Sequence, residues 1–160
     1  MKTFILICLF IISFTSYAKE KIDIIIIKKS ERILYAVKND KVIKKYNIAL
    51  GRSPKGHKKK EGDKKTPEGY YFVDGKNAKS NFFLSLHTSY PNFHDKLVAA
   101  RNDLNPGEHI AIHGLPPTNL LAQYLYNGAD WTDGCIALNN SDMQELWDLT
   151  EEGTQILIKP

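Results

Sequence analysis

Apolar and polar positions change rhythm several times along the 160-residue chain. Residues 4–14 are apolar except for Ser13. Residues 22–27 form a β-branched run broken by Asp23, which predicts a strand buried on both faces. Residues 32–37 and 42–50 predict two more strands, with Asn39-Asp40 as the turn between them, so the three read as a meander. In the third, Val42, Lys44, Tyr46, Ile48 and Leu50 share one face by period-two counting. Residues 51–69 are rich in Gly, Pro and Lys and predict a long loop, a feature usually functional or mobile in compact domains. Strands follow at 70–73 and 82–86, and Pro91 and Pro106 mark 88–107 as irregular.

A short strand is expected at 109–113 and a helix over 118–127, capped by Thr118 or Asn119 and ended by Gly128. Residues 134–138 predict a strand. A second helix is expected over 142–152, with Ser141 and Gln144 as its capping box and Met143, Leu146 and Trp147 as its buried face. Gly153 stops it, and 155–158 form a last strand. Neither an internal repeat nor a domain linker interrupts this order. The pattern is that of a mostly-β single domain with two short helices.

The first apolar run reads as an address rather than as structure. Lys2 supplies the positive start, 4–14 the hydrophobic stretch, and Ser16-Tyr17-Ala18 the small residues before a cleavage point. The expected division is a cleaved signal peptide, 1–18, and a domain, 19–160. Eleven residues are too few to span a bilayer comfortably, so no stable membrane span is expected and the product is exported, to the periplasm or the cell wall. Cys8 leaves with the signal segment, and Cys135 is then the single cysteine of the domain. A lone exported thiol is either a buried inert residue or a working nucleophile.

Composition excludes several classes. Hydrophobic residues make up 42% and charged residues 25%, which fits a globular chain and not a disordered one. The net charge of +4 is unevenly placed: residues 55–65 hold six lysines, and 130–152 hold seven carboxylates without Lys or Arg. No aromatic residue is interleaved with the lysines, so a solvated loop is expected rather than a nucleic-acid site.

Two segments carry chemistry: His109-Ile110-Ala111-Ile112-His113-Gly114 and Trp131-Thr132-Asp133-Gly134-Cys135-Ile136. A cysteine nucleophile needs its thiolate, which a nearby imidazole can generate. A glycine before the cysteine suits a turn whose Gly134 and Cys135 N–H groups converge as an oxyanion hole. No histidine follows Cys135, unlike the Cys-then-His order of papain-like and NlpC-like peptidases. On a strand, His109 and His113 lie roughly 13 Å apart, too far for one ion. No metal site and no cofactor are therefore expected.

Ile112-His113-Gly114 followed by Thr132-Asp133-Gly134-Cys135-Ile136 resembles the L,D-transpeptidase catalytic domain (YkuD-type). Residues 62–69 (GDKKTPEG), Ser89-Tyr90-Pro91-Asn92, Asn105-Pro106-Gly107, Trp131 and Gly153-Thr154-Gln155-Ile156 agree with its ErfK/YafK-like branch, so the resemblance spans roughly 22–160. It implies a compact β-sandwich-like domain. It also implies Cys135 as nucleophile, His113 as general base, the Gly114 carbonyl holding the imidazole tautomer, and Gly134 with Cys135 as oxyanion donors. Many members have His where this chain has Asp133, and Arg where it has Ala137. The resemblance makes Arg101 the candidate replacement for that arginine, and Asp133, Thr132, Tyr90 and Trp131 candidate substrate contacts.

The implied partners are peptidoglycan stem peptides containing meso-diaminopimelate, and peptidoglycan-linked lipoprotein; no nucleic-acid partner is expected. One acyl-enzyme serves both crosslinking and hydrolysis, so both readings stand. The rivals are a non-catalytic wall-binding module, tested by Cys135→Ala, and a wall metallopeptidase, tested by a chelator.

Overall fold

A computed structural model describes residues 20–117 and 129–160. The strands, in chain order, are β1 (Ile24–Lys28), β2 (Ile33–Lys38), β3 (Lys41–Asn47), β4 (Gly69–Ser80), β5 (Phe83–Thr88), β6 (Ala111–His113), β7 (Ile136–Ala137) and β8 (Gln155–Lys159). Helix α1 (Phe93–Arg101) precedes β6 and helix α2 (Asn140–Leu149) follows β7. The expected signal segment 1–18 and the expected helix 118–127 lie outside the described residues.

The meander β1–β2–β3 forms through antiparallel pairs, with Asn39 and Asp40 both at positive φ in the β2–β3 turn. The eight strands run in the order β3-β2-β1-β8-β4-β5-β6-β7. Strand β8 returns parallel to β1, and β6 and β7 form the other parallel pair. The 12-residue β4 pairs with β8 through its first residues and with β5 through the rest, with register shifts at Val73/Gly75 and Asn77/Ser80. Those irregularities let one strand turn from one half of the sheet to the other. Ala49 then bridges to Ala137 and Gly51 to Thr132. The segment leaving edge strand β3 thus meets edge strand β7, and the sheet folds back on itself around one core.

That core contains Ile25 and Ile27 of β1, Leu34, Leu50, Leu86, Ile112 of β6, Ile136 of β7, Ile156 of β8, and Met143 and Leu146 of α2, all fully buried. The mostly-β single domain expected from the pattern, and the sandwich-like form the resemblance implies, are observed as one eight-stranded mixed sheet with two helices.

Several local expectations are corrected. Strand β1 alternates: Ile25 and Ile27 are fully buried, while Ile24 and Ile26 are half-buried. Val42 leaves the row of Tyr46, because the register skips Ile43 between the pairs Ala36–Lys44 and Val37–Val42. One extra residue reverses the faces, and Val42 is exposed while Tyr46 is buried. The region expected to be irregular contains α1. Its Asn92 side chain accepts from the Asp95 N–H while the Asp95 carboxylate accepts from the Asn92 N–H, a reciprocal cap directly after Pro91. Only Asp95 and Ala99 of α1 are buried, so it lacks the apolar stripe that announces a helix. Helix α2 is capped by Asn139, which accepts from the Asp142 N–H, and begins two residues before the expected start.

The lysine-rich loop is also not simply solvated. Lys58 is buried, with its ammonium on Asp63 Oδ1 (2.9 Å) and the Lys60 carbonyl (3.0 Å). The Asp63 carboxylate also accepts from the N–H groups of Lys59, Lys60 and Lys65, so the loop is wound around one carboxylate. From the sheet, buried Lys29 donates to the carbonyls of Gly56 and Thr66 (both 2.8 Å) and to Glu68 (2.9 Å). All three ammonium protons are used, which pins the loop across the molecule.

Candidate active site

Strands β6 and β7 place the chemistry. Their parallel register pairs Ile112 with Ile136 and His113 with Ala137. Both isoleucines face the core, so alternation turns His113 to the opposite side, together with Cys135 one step before β7. Extended one residue past β7, that register sets Cys135 opposite Ala111, on the side of the sheet to which His113 turns.

His113 is held from three directions. Its Nδ1–H donates to the Gly114 carbonyl at 2.7 Å, which fixes the tautomer and leaves Nε2 with a lone pair. The Phe82 ring lies 4.5 Å from the imidazole, centroid to centroid, and Trp131 meets it edge-on at 5.8 Å. Burial under these rings lowers the imidazole pKa, against the opposing pull of the Gly114 carbonyl. Gly114 itself sits where a Cβ would lie 2.5 Å from Asn140 Oδ1 and 3.0 Å from the Phe82 carbonyl. A side chain there has to displace the Asn140 amide and press on the Phe82 backbone.

Cys135 is half-buried and not in a disulfide. Burial pushes its thiol pKa up; the Ala111 N–H lowers it, the Asp133 charge raises it and Lys58 lowers it. The thiol donates to the His109 carbonyl at 3.6 Å. His109 holds positive φ (62°), a conformation a non-glycine residue adopts at a cost of about 1–3 kcal/mol. Thiol and imidazole are thus both driven toward their neutral forms, so the imidazole is available as a base without a pre-formed ion pair.

The turn before Cys135 is built by Thr132. Its buried hydroxyl donates to the Cys135 carbonyl (2.7 Å) and accepts from the Gly134 N–H (3.1 Å). This corrects two expectations. Thr132 holds the turn together rather than facing substrate, and the Gly134 N–H is already engaged, so it is not a free oxyanion donor. The Cys135 N–H makes no hydrogen bond to any described residue. Gly134 has φ of 134°, and a Cβ there would lie 2.7 Å from the Lys65 carbonyl, so the turn and the lysine-rich loop touch through backbone.

The other expected contacts separate. Asp133 is exposed, with Oδ1 3.0 Å from Arg52 Nη1. Trp131 packs against Phe82 and His113. Tyr90 is instead a core residue: buried, edge-on to Tyr71 at 5.9 Å, with its hydroxyl donating to the Pro106 carbonyl. Arg101 ends α1, exposed, and makes no hydrogen bond or ion pair with Cys135, His113 or Asp133. Sequence reasoning missed Phe82 and Arg52. Phe82 reaches His113 only through the β4–β5 turn, and Arg52 reaches Asp133 only through the Gly51–Thr132 bridge. Nothing local in sequence links either pair. Among the described residues no group of three or more His, Cys, Asp or Glu is arranged to hold a metal ion.

The family model for the L,D-transpeptidase catalytic domain (YkuD) matches residues 22–158, which include both segments of this site. The chain belongs to that family. A comparison with curated proteins finds no match. Among solved structures it is similar to the helical cell shape determining protein Pgp2 of Campylobacter jejuni, with 27% identity, a TM-score of 0.64, and coverage of 89% of this chain and 49% of that one. It is also similar to Bd1075 of Bdellovibrio bacteriovorus (25% identity, TM-score 0.59, 91% of this chain and 50% of that one). An L,D-transpeptidase of Xylanimonas cellulosilytica shares the fold at 18% identity and a TM-score of 0.56, over 88% of this chain and 61% of that one. The chain spans about half the length of the first two structures. No helix among the described residues is long and apolar enough to cross a membrane.

Proposed function

We propose that this chain is an exported cysteine enzyme that modifies peptidoglycan stem peptides through a thioester. The observation that carries the proposal is the parallel register of β6 and β7, which supports Cys135 and His113 facing one side of the sheet, with His113 Nδ1 tied to the Gly114 carbonyl. Substrate enters with the carbonyl at the L-centre of meso-diaminopimelate next to the sulfur. Nε2 of His113 takes the thiol proton as sulfur attacks that carbonyl, and the Cys135 N–H supports the developing oxyanion. The C–N bond breaks, the departing amine takes the proton from the imidazolium, and a thioester to Cys135 remains. An acceptor amine then yields a crosslink, or water yields hydrolysis; either regenerates the thiol.

Crosslinking and hydrolysis stand together, since the acyl-enzyme serves both, and release of a peptidoglycan-linked lipoprotein is hydrolysis of the same kind. The likeness to a protein described as determining helical cell shape supports a wall role. The motifs at 62–69 and 89–92 support placement near the ErfK/YafK-like branch. The apolar residues 4–14 support export.

Incubation with defined muropeptides, including lipoprotein-linked ones, tests the proposal by mass spectrometry. Expected are shortened or crosslinked products with the natural protein and none with Cys135→Ala. Full activity in Cys135→Ala overturns it. Binding of muropeptides without any turnover by the natural protein favours the wall-binding module instead. Sensitivity to EDTA favours the metallopeptidase.

A further inference from the structure

The chain has three arginines: Arg32, Arg52 and Arg101. Arg32 is committed to Asp130, which its Nε and Nη2 grip through three contacts of 2.7–3.2 Å. Arg101 ends α1 and makes no hydrogen bond or ion pair with Asp133 or Cys135 among the described residues. Arg52 is attached to that turn by backbone: its N–H donates to the Thr132 carbonyl (3.0 Å), the Thr132 N–H donates to the Leu50 carbonyl (3.2 Å), and the Ser53 N–H donates to the Lys64 carbonyl (3.0 Å). The main chain under Arg52 and Asp133 is thus fixed on both sides, two residues from the nucleophile.

The side chains on it remain in water. Arg52 and Asp133 are 53% and 73% exposed, and they meet through a single 3.0 Å contact. An exposed pair of this kind adds little to stability. What it provides is a guanidinium and a carboxylate side by side on a rigid support that is continuous with the cysteine turn. The ligand complementary to that arrangement bears a carboxylate and an ammonium on one carbon, the free end of an α-amino acid. Its carboxylate can take the forked N–H donors of Arg52, and its ammonium can take Asp133, so one internal ion pair is exchanged for two with the ligand.

We propose that Arg52 and Asp133 form a specificity subsite for a zwitterionic α-amino-acid end group on the substrate. The inference rests on the stem-peptide reading above and deepens it. The side chain of meso-diaminopimelate ends in such a zwitterion, a lysine side chain ends in an ammonium alone, and amidated diaminopimelate lacks the carboxylate charge. The subsite selects the first over the other two. It also gives Asp133 a role in a position where a negative charge alone only hinders thiolate formation, because a bound ammonium neutralises it.

The experiment compares kcat/KM on three muropeptides that differ only at the third residue: meso-diaminopimelate, its amidated form, and lysine. The natural protein is expected to prefer the first by about tenfold or more, and Arg52→Ala to bring that ratio close to one, mainly through KM. Asp133→Asn is expected to weaken all three, since each carries an ammonium. In parallel, free meso-diaminopimelate and free Nα-acetyl-lysine are titrated into Cys135→Ala protein and followed by amide NMR shifts at residues 50–53 and 131–134. Turnover with no preference among the three peptides, or a preference that Arg52→Ala leaves intact, overturns the subsite while the enzymatic reading stands. No turnover on any peptide, with diaminopimelate shifting those amides and the lysine derivative not, overturns the enzymatic reading and retains the subsite. Neither turnover nor shifts overturns both.

Discussion

Substituting Gly134 by alanine perturbs the cysteine turn at its tightest point. Two costs follow from the geometry. A φ of 134° is a conformation that side-chain-bearing residues rarely hold, at about 1–3 kcal/mol. The new Cβ would also lie 2.7 Å from the Lys65 carbonyl and 3.0 Å from Ile110 Cδ1. The carbonyl belongs to backbone that cannot easily swing aside, because the Lys65 N–H is held by Asp63 and the neighbouring Lys64 carbonyl by the Ser53 N–H. Overpacking of this kind costs about 1–3 kcal/mol. The sum, roughly 2–6 kcal/mol, is a large share of the 5–15 kcal/mol that holds a typical domain together. For a chain of this size it lowers Tm by about 10 °C. Gly153→Ala is the control: its φ is 88°, but no atom lies within 4 Å of the added Cβ, so only backbone strain of about 1–2 kcal/mol remains. The assay is thermal unfolding followed by circular dichroism, with the rate of Cys135 alkylation by iodoacetamide as a local readout. Gly134→Ala is expected to lose at least twice the stability lost by Gly153→Ala and to change the alkylation rate. Equal losses, with alkylation unaltered, would refute the claim that loop and cysteine turn are packed backbone against backbone.

Three further outcomes are expected. Phe82→Ala uncovers the imidazole of His113, so its pKa should rise toward the ordinary 6.5; an NMR titration that does not move shows that Phe82 is not the cover. Because the folded protein holds that imidazole below its unfolded pKa, the unfolded chain binds more protons on acidification. Stability should fall as pH drops below about 6.5, less so in Phe82→Ala. Lys29→Met removes a buried ammonium from two carbonyls and from Glu68, and should cost about 3–5 kcal/mol in denaturant unfolding; a loss under 1 kcal/mol contradicts its role as the pin of the 51–69 loop. Asp95→Ala removes the acceptor of the Tyr71 hydroxyl (3.0 Å), the Asn92 N–H (2.9 Å) and His57 Nε2 (3.1 Å), at about 2–3 kcal/mol. Burial raises the Asp95 pKa, but His57, the Asn92 N–H and Tyr71 outweigh it and hold the carboxyl below its usual 3.8. Its contribution is therefore present above pH 3.8 and lost as pH falls further, so the acid-unfolding midpoint of the natural protein should lie below that of a variant with a neutral residue at 95.

The sequence by itself determined the strands whose signals are local. Apolar runs at 22–27, 32–37 and 155–158 specify β1, β2 and β8, because each strand needs only its own residues to fit a half-buried sheet. It also brought His113-Gly114 and Gly134-Cys135 to notice, since the chemistry of a cysteine nucleophile and of glycine in a tight turn is carried by single residues. Tertiary structure decided the rest. Helix α1 has no apolar stripe and forms where a reciprocal Asn92–Asp95 cap and the buried Asp95 contacts outweigh a weak propensity. Tyr90, which the sequence offers as a substrate contact or as a residue shaping a turn, is a core ring because Tyr71 and the Pro106 carbonyl converge on it. Arg52 and Asp133 are 81 positions apart and meet only because the sheet closes through the Gly51–Thr132 bridge. Periodicity reports which face a residue turns inward; it carries no record of which distant segment arrives on the other side, since that depends on register, bulges and closure summed over the whole sheet.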